Sequence, residues 1–206
     1  LVVRPVALIA GPTFDGSERF RHTYAKLHVF NQTAYARIVF VDADAFVLRD
    51  VAALFLLGDA WWLAAAPDHG MKLQRDPARR FNTGVVSARP DATRFATLMR
   101  RLAAHDLRKT GGGRAEGSDQ GFLQAYVAED PAGFLLLPHS YNVLKRREKS
   151  LKDKFRLEDA FVVHLVGGKP WEPGDPGSVE YPVTHGAWHA ARKRCGLGAV
   201  GGLTAT

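Results

Sequence analysis

Short apolar runs of strand length recur along this chain, and stretches with apolar residues at helical spacing lie between them. Residues 1–10, 36–41, 61–66, 81–87, 134–137 and 161–164 read as strands. Residues 17–28 read as a helix capped by Ser17 and carrying Phe20, Tyr24, Leu27 and His28. A short helix follows at 51–57, and an amphipathic helix at 93–105 with Phe95, Leu98, Met99 and Leu102 as its stripe. Ser118 caps the next, through Phe122, Leu123 and Tyr126, and residues 186–194 form a closing helix. Gly11-Pro12, Pro67-Asp68 and Arg89-Pro90 end strands; 69–80 reads as a polar loop, Gly111-Gly112-Gly113 as a link and 167–177 as a Gly/Pro-rich loop. This alternation predicts an α/β fold, a sheet with helices against it. In such sheets ligands bind beyond the C-terminal ends of strands. Asp42, Asp44, Asp68 and His164 all fall at such ends.

The chain has 206 residues, 46% hydrophobic and 24% charged, enough to bury a core in one domain. No apolar run reaches the roughly 18 residues of a membrane helix. The single cysteine, Cys195, excludes an internal disulfide. The chain opens on Leu1 without a basic and apolar leader, so it reads as an internal piece. One domain is expected over 1–195, with a flexible tail at 196–206. The formal charge of +7 suits phosphorylated ligands as well as plain solubility. Lys145, Arg146, Arg147, Lys149, Lys152 and Lys154 cluster, but Glu148 and Asp153 interrupt them and no aromatic residue interleaves the run. It reads as a solvated loop or helix face, not a nucleic-acid groove.

The sharpest local feature is Val39-Phe40-Val41-Asp42-Ala43-Asp44. In extended backbone, residues two apart face the same way, so both carboxylates can reach one hard divalent cation such as Mn2+ or Mg2+. Taken alone, the pair also suits a turn or a helix cap. The small Ala43 and Ala45 would let a bulky ligand approach the backbone. The second feature runs from Phe161 to Trp171 and contains His164, Gly167, Gly168 and Lys169. A neutral imidazole suits a third position on Mn2+, glycines let backbone N–H groups approach phosphate, and Lys supplies a point charge. Two carboxylates roughly neutralise a divalent cation, whose field then offsets a diphosphate together with Lys169. A core histidine and a Lys packed over Trp171 are the alternatives.

Two further stretches carry polar groups. In Arg80-Phe81-Asn82-Thr83-Gly84, the Asn82 amide could meet sugar hydroxyls or make a local backbone bond at a bulge. In Gly117-Ser118-Asp119-Gln120-Gly121, Asp119 and Gln120 sit in the first turn of a helix, where the dipole favours a carboxylate anyway.

Together these features resemble the family 8 glycosyltransferases, the glycogenin-like group with a GT-A fold. The matching stretches are Thr23-Tyr24-Ala25-Lys26-Leu27-His28, Val41-Asp42-Ala43-Asp44, Ala66-Pro67-Asp68, Phe81-Asn82-Thr83-Gly84-Val85, Ser118-Asp119-Gln120-Gly121, Leu137-Pro138-His139-Ser140-Tyr141-Asn142, and His164 through Trp171, in the family's order. The resemblance implies a Rossmann-like mixed sheet flanked by helices, and a retaining transfer of a hexose or related sugar from a UDP-sugar to an acceptor hydroxyl. It implies Mn2+ (or Mg2+) on Asp42, Asp44 and His164, and diphosphate contacts from Lys169 and the Gly167 backbone. Lys26, Asp68, Asn82, Asp119 and Gln120 would line the sugar pocket, with Asp119, then Gln120, nearest the anomeric carbon. The acceptor could be a glycan, protein, lipid or small molecule. Oligomeric state is open, a homodimer included.

Three departures accompany the resemblance. The family's first strand and helix have no counterpart before Leu1, so the fold is expected to be N-terminally truncated. The spacing from His164 to Lys169 is one residue shorter than in glycogenin, and glycogenin's self-glucosylated tyrosine has no match; Tyr141 reads as core. Two rivals stand beside this reading. A haloacid-dehalogenase-like phosphatase would also place Asp-x-Asp after a strand, but usually carries Thr or Val where this chain has Phe46. A non-catalytic scaffold of the same fold would fit the absent N-terminal unit.

Overall fold

The computed structural model describes residues 2–11, 22–68, 81–104 and 118–196. The expected Ser17 cap, the 69–80 loop, the Gly111-Gly112-Gly113 link and the tail from 197 lie outside them. Among the described residues are the strands β1 (Ile38–Val41), β2 (Ala45–Val47), β3 (Leu63–Pro67), β4 (Phe81–Ala88), β5 (Phe134–Leu136), β6 (Val143–Leu144) and β7 (Val162–His164). The α-helices are α1 (Ala92–Ala103), α2 (Asp119–Glu129), α3 (Arg146–Leu151) and α4 (Pro182–Arg194). The chain divides into two compact units, Leu1–Phe40 with Ala52–Pro138, and Val41–Val51 with His139–Thr206.

The first unit is built on a mixed sheet in the order β1-β4-β3-β5. Strand β4 pairs antiparallel with β3, and β5 runs parallel to β3. Every residue of β4 is buried, the polar Asn82, Thr83 and Ser87 included, so the strand has no solvent-facing side. Beside it, Ala64, Ala65 and Ala66 of β3 are also buried. Asp91 caps α1 by accepting the Arg94 N–H at 2.7 Å, and Ser118 caps α2 by accepting the Gly121 N–H at 3.2 Å. Leu98 and Leu102 of α1 and Phe122, Leu123 and Val127 of α2 join Tyr24, Leu27, Phe30, Phe81 and Val86 in one core. Tyr24, Leu27 and Phe30 come from the 3-10 helix Thr23–Asn31.

The second unit holds a smaller sheet in the order β2-β7-β6. Strand β2 is antiparallel to β7, with Ala45 opposite His164, and β6 is parallel to β7, with Leu144 opposite His164. Val143, Ala160, Val163 and Leu165 form its core, with Phe46, Leu48, Trp171 and Trp188 packed on it. Helix α4 starts with Pro182, whose missing N–H costs nothing at a first helical position. The next amides are held by a buried carboxylate. Glu148 accepts the Val183 N–H at 2.7 Å, the Thr184 N–H at 2.9 Å and the Thr184 hydroxyl at 2.8 Å.

Several expectations need correction. Residues 2–11 form no strand: Val2, Val3, Val6 and Leu8 are exposed and only Ile9 is buried. Apolar content marks a strand only where a neighbour takes its backbone hydrogen bonds, and Pro5 also lacks an N–H to donate. The segment around Tyr24 and the one around Leu54 are 3-10 rather than α-helical. The closing helix begins four residues earlier than expected, on the Pro182 signal. In the basic cluster, Lys145 is not solvated: it is 2 % exposed. No described helix is long and apolar enough to cross a membrane.

Candidate functional site

Within the second unit, two backbone features bring Asp42, Asp44 and His164 together. The Ala45 N–H donates to the Asp42 carbonyl at 2.9 Å, so residues 42–45 form a turn. The Leu165 N–H donates to the Asp44 carbonyl at 2.8 Å, which continues the β2–β7 pairing to the mouth of that turn. The carboxylates therefore converge through a turn, not through the extended backbone expected from their spacing. His164 Nε2 lies 3.1 Å from Asp44 Oδ1 and 3.9 Å from Asp42 Oδ2. One ligand atom from each of the three residues lies within 4.8 Å of the others. One cation with ligands at about 2.0–2.6 Å can bridge that span.

The imidazole is oriented for such a role. His164 is 5 % exposed, and its Nδ1 sits 3.2 Å from Oδ1 of the buried Asn142. An amide oxygen only accepts, so Nδ1 carries a proton and Nε2 is the ring nitrogen turned toward the carboxylates. The carboxylate side chains are 27 and 26 % exposed, which leaves an approach from solvent. Two carboxylates and one imidazole suit Mn2+ or Mg2+ better than a soft metal.

Lys169 shares this site. Its ammonium forms an ion pair with Asp44 Oδ2, donates to the Leu165 carbonyl at 2.6 Å and lies 5.9 Å from the centre of the Trp171 ring. Burial alone would raise the Asp44 carboxyl, but the hydrogen bonds and charges of His164 and Lys169 hold it well below the usual carboxylate range. Gly167, two residues before Lys169, has φ +79°, the left-handed region. No atom lies within 4 Å of where its Cβ would be, so backbone conformation rather than crowding favours glycine there. Phe46, the residue that spoke against a phosphatase, packs on the core of this unit.

The first unit gathers a separate polar cluster. Lys26 reaches from the 3-10 helix to Asp119 Oδ2 at 2.9 Å and donates to the Thr83 carbonyl at 3.0 Å. The Thr83 hydroxyl donates to the same Asp119 oxygen at 2.7 Å, and the Asp119 N–H donates to the Thr23 hydroxyl at 3.3 Å. Gln120 donates from Nε2 to Asp68 Oδ2 at 2.8 Å and accepts the Thr83 N–H on Oε1 at 3.3 Å. Its amide orientation is thereby fixed. Asn82 is buried, and its Oδ1 accepts the Gly84 N–H at 2.8 Å, the local backbone bond weighed against a ligand role.

The ten sequence-derived residues thus fall into two groups. Asp42, Asp44, His164, Gly167 and Lys169 lie in the second unit; Lys26, Asp68, Asn82, Asp119 and Gln120 lie in the first. Two participants received no role from sequence. Asn142 and Thr83 both sit inside stretches that carry the resemblance, but only the fold shows what each side chain touches. Tyr141, expected in the core, is half-buried and stacks on Phe161 at 4.5 Å between ring centres.

Comparisons with known proteins give the family and the fold. The profile of glycosyl transferase family 8 matches residues 16–173. Inositol phosphorylceramide glucuronosyltransferase 1 of Arabidopsis thaliana is 29% identical over 92% of the chain, and human glycogenin-1 is 32% identical over 72% of it. The chain spans 36% and 39% of the lengths of these two relatives. The glycosyltransferase GlyE of Streptococcus pneumoniae TIGR4 superposes with a TM-score of 0.55 at 19% identity, over 85% of this chain and 47% of that one. At that identity the likeness concerns the fold, which is the GT-A type.

Two outcomes test the geometry of the triad. Asn142→Ala leaves the His164 Nδ1–H without its acceptor, and Mn2+ affinity measured by calorimetry should fall about 10–100-fold; a change under about twofold would remove Asn142 from the site. Asp44 has a depressed pKa in the fold, so it contributes stability that is present above its unfolded value and lost as pH falls. The stability advantage of the wild type over Asp44→Asn, from urea titrations, should be full near about pH 6 and shrink below about pH 4. A constant difference down to about pH 2.5 would contradict the pairing.

Proposed function

The chain belongs to glycosyltransferase family 8, and on that premise we propose that it moves a hexose or related sugar from a UDP-sugar to an acceptor hydroxyl, with retention at the anomeric carbon and with Mn2+. The observation that carries this reading is the convergence of Asp42, Asp44 and Nε2 of His164 within the reach of one ion. These three residues would hold the cation. When bound, a divalent cation supplies Lewis-acid charge that grips a diphosphate and eases its departure.

The chain's own groups then have distinct tasks. Lys169, already at Asp44, exchanges part of that ion pair for a donor phosphate oxygen and fixes the leaving group. The Gly167 turn lets backbone amides approach the same anion. In the first unit, the Gln120 and Asp68 pair offers a carbonyl, an amide and a carboxylate to sugar hydroxyls, with both side chains oriented before the ligand arrives. Asp119, held by Lys26 and the Thr83 hydroxyl, presents a fixed carboxylate that favours positive character developing at an anomeric carbon. The relatives carry names as different as glycogenin and inositol phosphorylceramide glucuronosyltransferase, and the acceptor shared by such reactions is a hydroxyl.

The test is turnover with Mn2+ across a panel of UDP-sugars, reading UDP release. Wild type should release UDP from at least one donor, and Asp44→Asn should reduce that rate by about 100-fold or more with the fold retained by circular dichroism. Undiminished turnover in Asp44→Asn would remove the metal role, and release with no requirement for a divalent ion would remove the reading as a whole.

A further inference from the structure

Behind the Lys169 loop lies a second set of buried charged groups that the reading above does not use. Lys145 follows β6, and its backbone N–H donates to the His164 carbonyl at 3.0 Å. Its ammonium donates to the Gly168 carbonyl and to His185 Nε2 at 3.1 Å, and lies 4.7 Å from the centre of the Tyr181 ring. An ammonium only donates, so Nε2 of His185 accepts. The His185 proton is then on Nδ1, where it meets Asp175 Oδ1. The other Asp175 oxygen lies 2.9 Å from His189 Nε2. Lys145 is 2 % exposed and His185 1 %.

The relay closes back on the loop it starts from. The Asp175 N–H donates to the Glu172 carbonyl at 3.0 Å, the Glu172 N–H to the Lys169 carbonyl at 3.1 Å, and the Lys169 N–H to Glu172 Oε2 at 3.0 Å. Gly168 and Asp175, seven residues apart, are thus joined twice: along the backbone turns, and through Lys145 and His185. Two local features serve this closure. Asp175 has φ 42°, a conformation few non-glycine residues adopt, and it is held there while gripping two imidazoles. A Cβ on Gly177 would lie 2.3 Å from His185 Cε1 and 2.6 Å from its Nε2, so a side chain at 177 would push the ring from its place. Apolar residues could fill this volume without the desolvation that buried charge brings, so what this polar chain contributes is geometry rather than stability.

We propose that Lys145, His185 and Asp175 are positioning residues: they fix the turn at 167–169 and through it the direction of the Lys169 ammonium toward the donor diphosphate. The proposal rests on the donor-site reading above. Loss of the relay lets the turn drift, which weakens diphosphate binding and leaves the cation site on Asp42, Asp44 and His164 intact. A glutamine at 185 carries one acceptor and one donor and can reproduce the link between Lys145 and Asp175; a leucine cannot.

The experiment uses the whole chain, with His185→Leu, His185→Gln and Gly177→Ala. Amide hydrogen exchange at 169–175 and calorimetric titration of Mn2+ alone, then of UDP with Mn2+, are compared with wild type. In His185→Leu and Gly177→Ala, exchange at Lys169, Glu172 and Asp175 should rise about tenfold or more, and UDP affinity should fall about tenfold or more with Mn2+ affinity within about twofold. His185→Gln should return both readouts to within about threefold of wild type. Unchanged exchange in both disruptive variants, equal losses for Mn2+ and UDP, or a His185→Gln as impaired as His185→Leu would each overturn the proposal. A wild type that binds no UDP with Mn2+ defeats the donor-site reading instead, and the exchange comparison with its glutamine rescue still decides whether the relay holds the loop.

Discussion

The pairing of Ala45 with His164 is the constraint on which the second unit turns. That antiparallel register sets the imidazole beside the turn at 42–45, and the Leu165 N–H on the Asp44 carbonyl locks the end of the ladder. A slip by one residue would direct His164 to the opposite face of the sheet. Phe46 and Val163, opposite one another in the same register, pack on the unit's core, so burial of apolar surface enforces the alignment that the charged groups need. Like charges on Asp42 and Asp44 would otherwise repel. Here His164 and the Lys169 ammonium hold the Asp44 carboxyl well below the usual carboxylate range, against the burial that would raise it.

A similar economy governs the first unit. Asp119 opens α2, where the helix dipole favours a carboxylate, and Lys26 and the Thr83 hydroxyl complete its coordination. The buried charge is thus paired and hydrogen-bonded rather than isolated. Thr83 joins the two pairs: its hydroxyl serves Asp119 and its N–H serves Gln120. The same strand, β4, is buried throughout, so this network stands on an element packed on both sides. Groups fixed in this way incur little reorganisation when a ligand arrives.

Much of this was legible because long elements carry periodic patterns. Helix α1 showed its stripe at Phe95, Leu98, Met99 and Leu102, and Ser118 announced α2. Strands β3, β4 and β7 stood out as apolar runs ending in turn residues. Strands β2 and β6 are three and two residues long, too short for any period to register. Residues 2–11 misled in the opposite direction, since apolar composition alone says nothing about a pairing partner. In the basic cluster, sequence could not tell which lysine turns inward: Lys145 is buried by His185 and Tyr181 from a segment some forty residues on. The candidate metal ligands were legible as residue types, but their convergence depends on a turn and a strand register that local spacing does not encode.

The central claim is that Asp42, Asp44 and His164 hold one divalent cation. Anomalous diffraction at the manganese edge, from crystals grown with Mn2+, tests it most directly. The account predicts a single strong peak about 2.0–2.4 Å from an oxygen of each aspartate and from Nε2 of the histidine. A structure with Mn2+ bound elsewhere, or with that imidazole turned away from both acids, would contradict it.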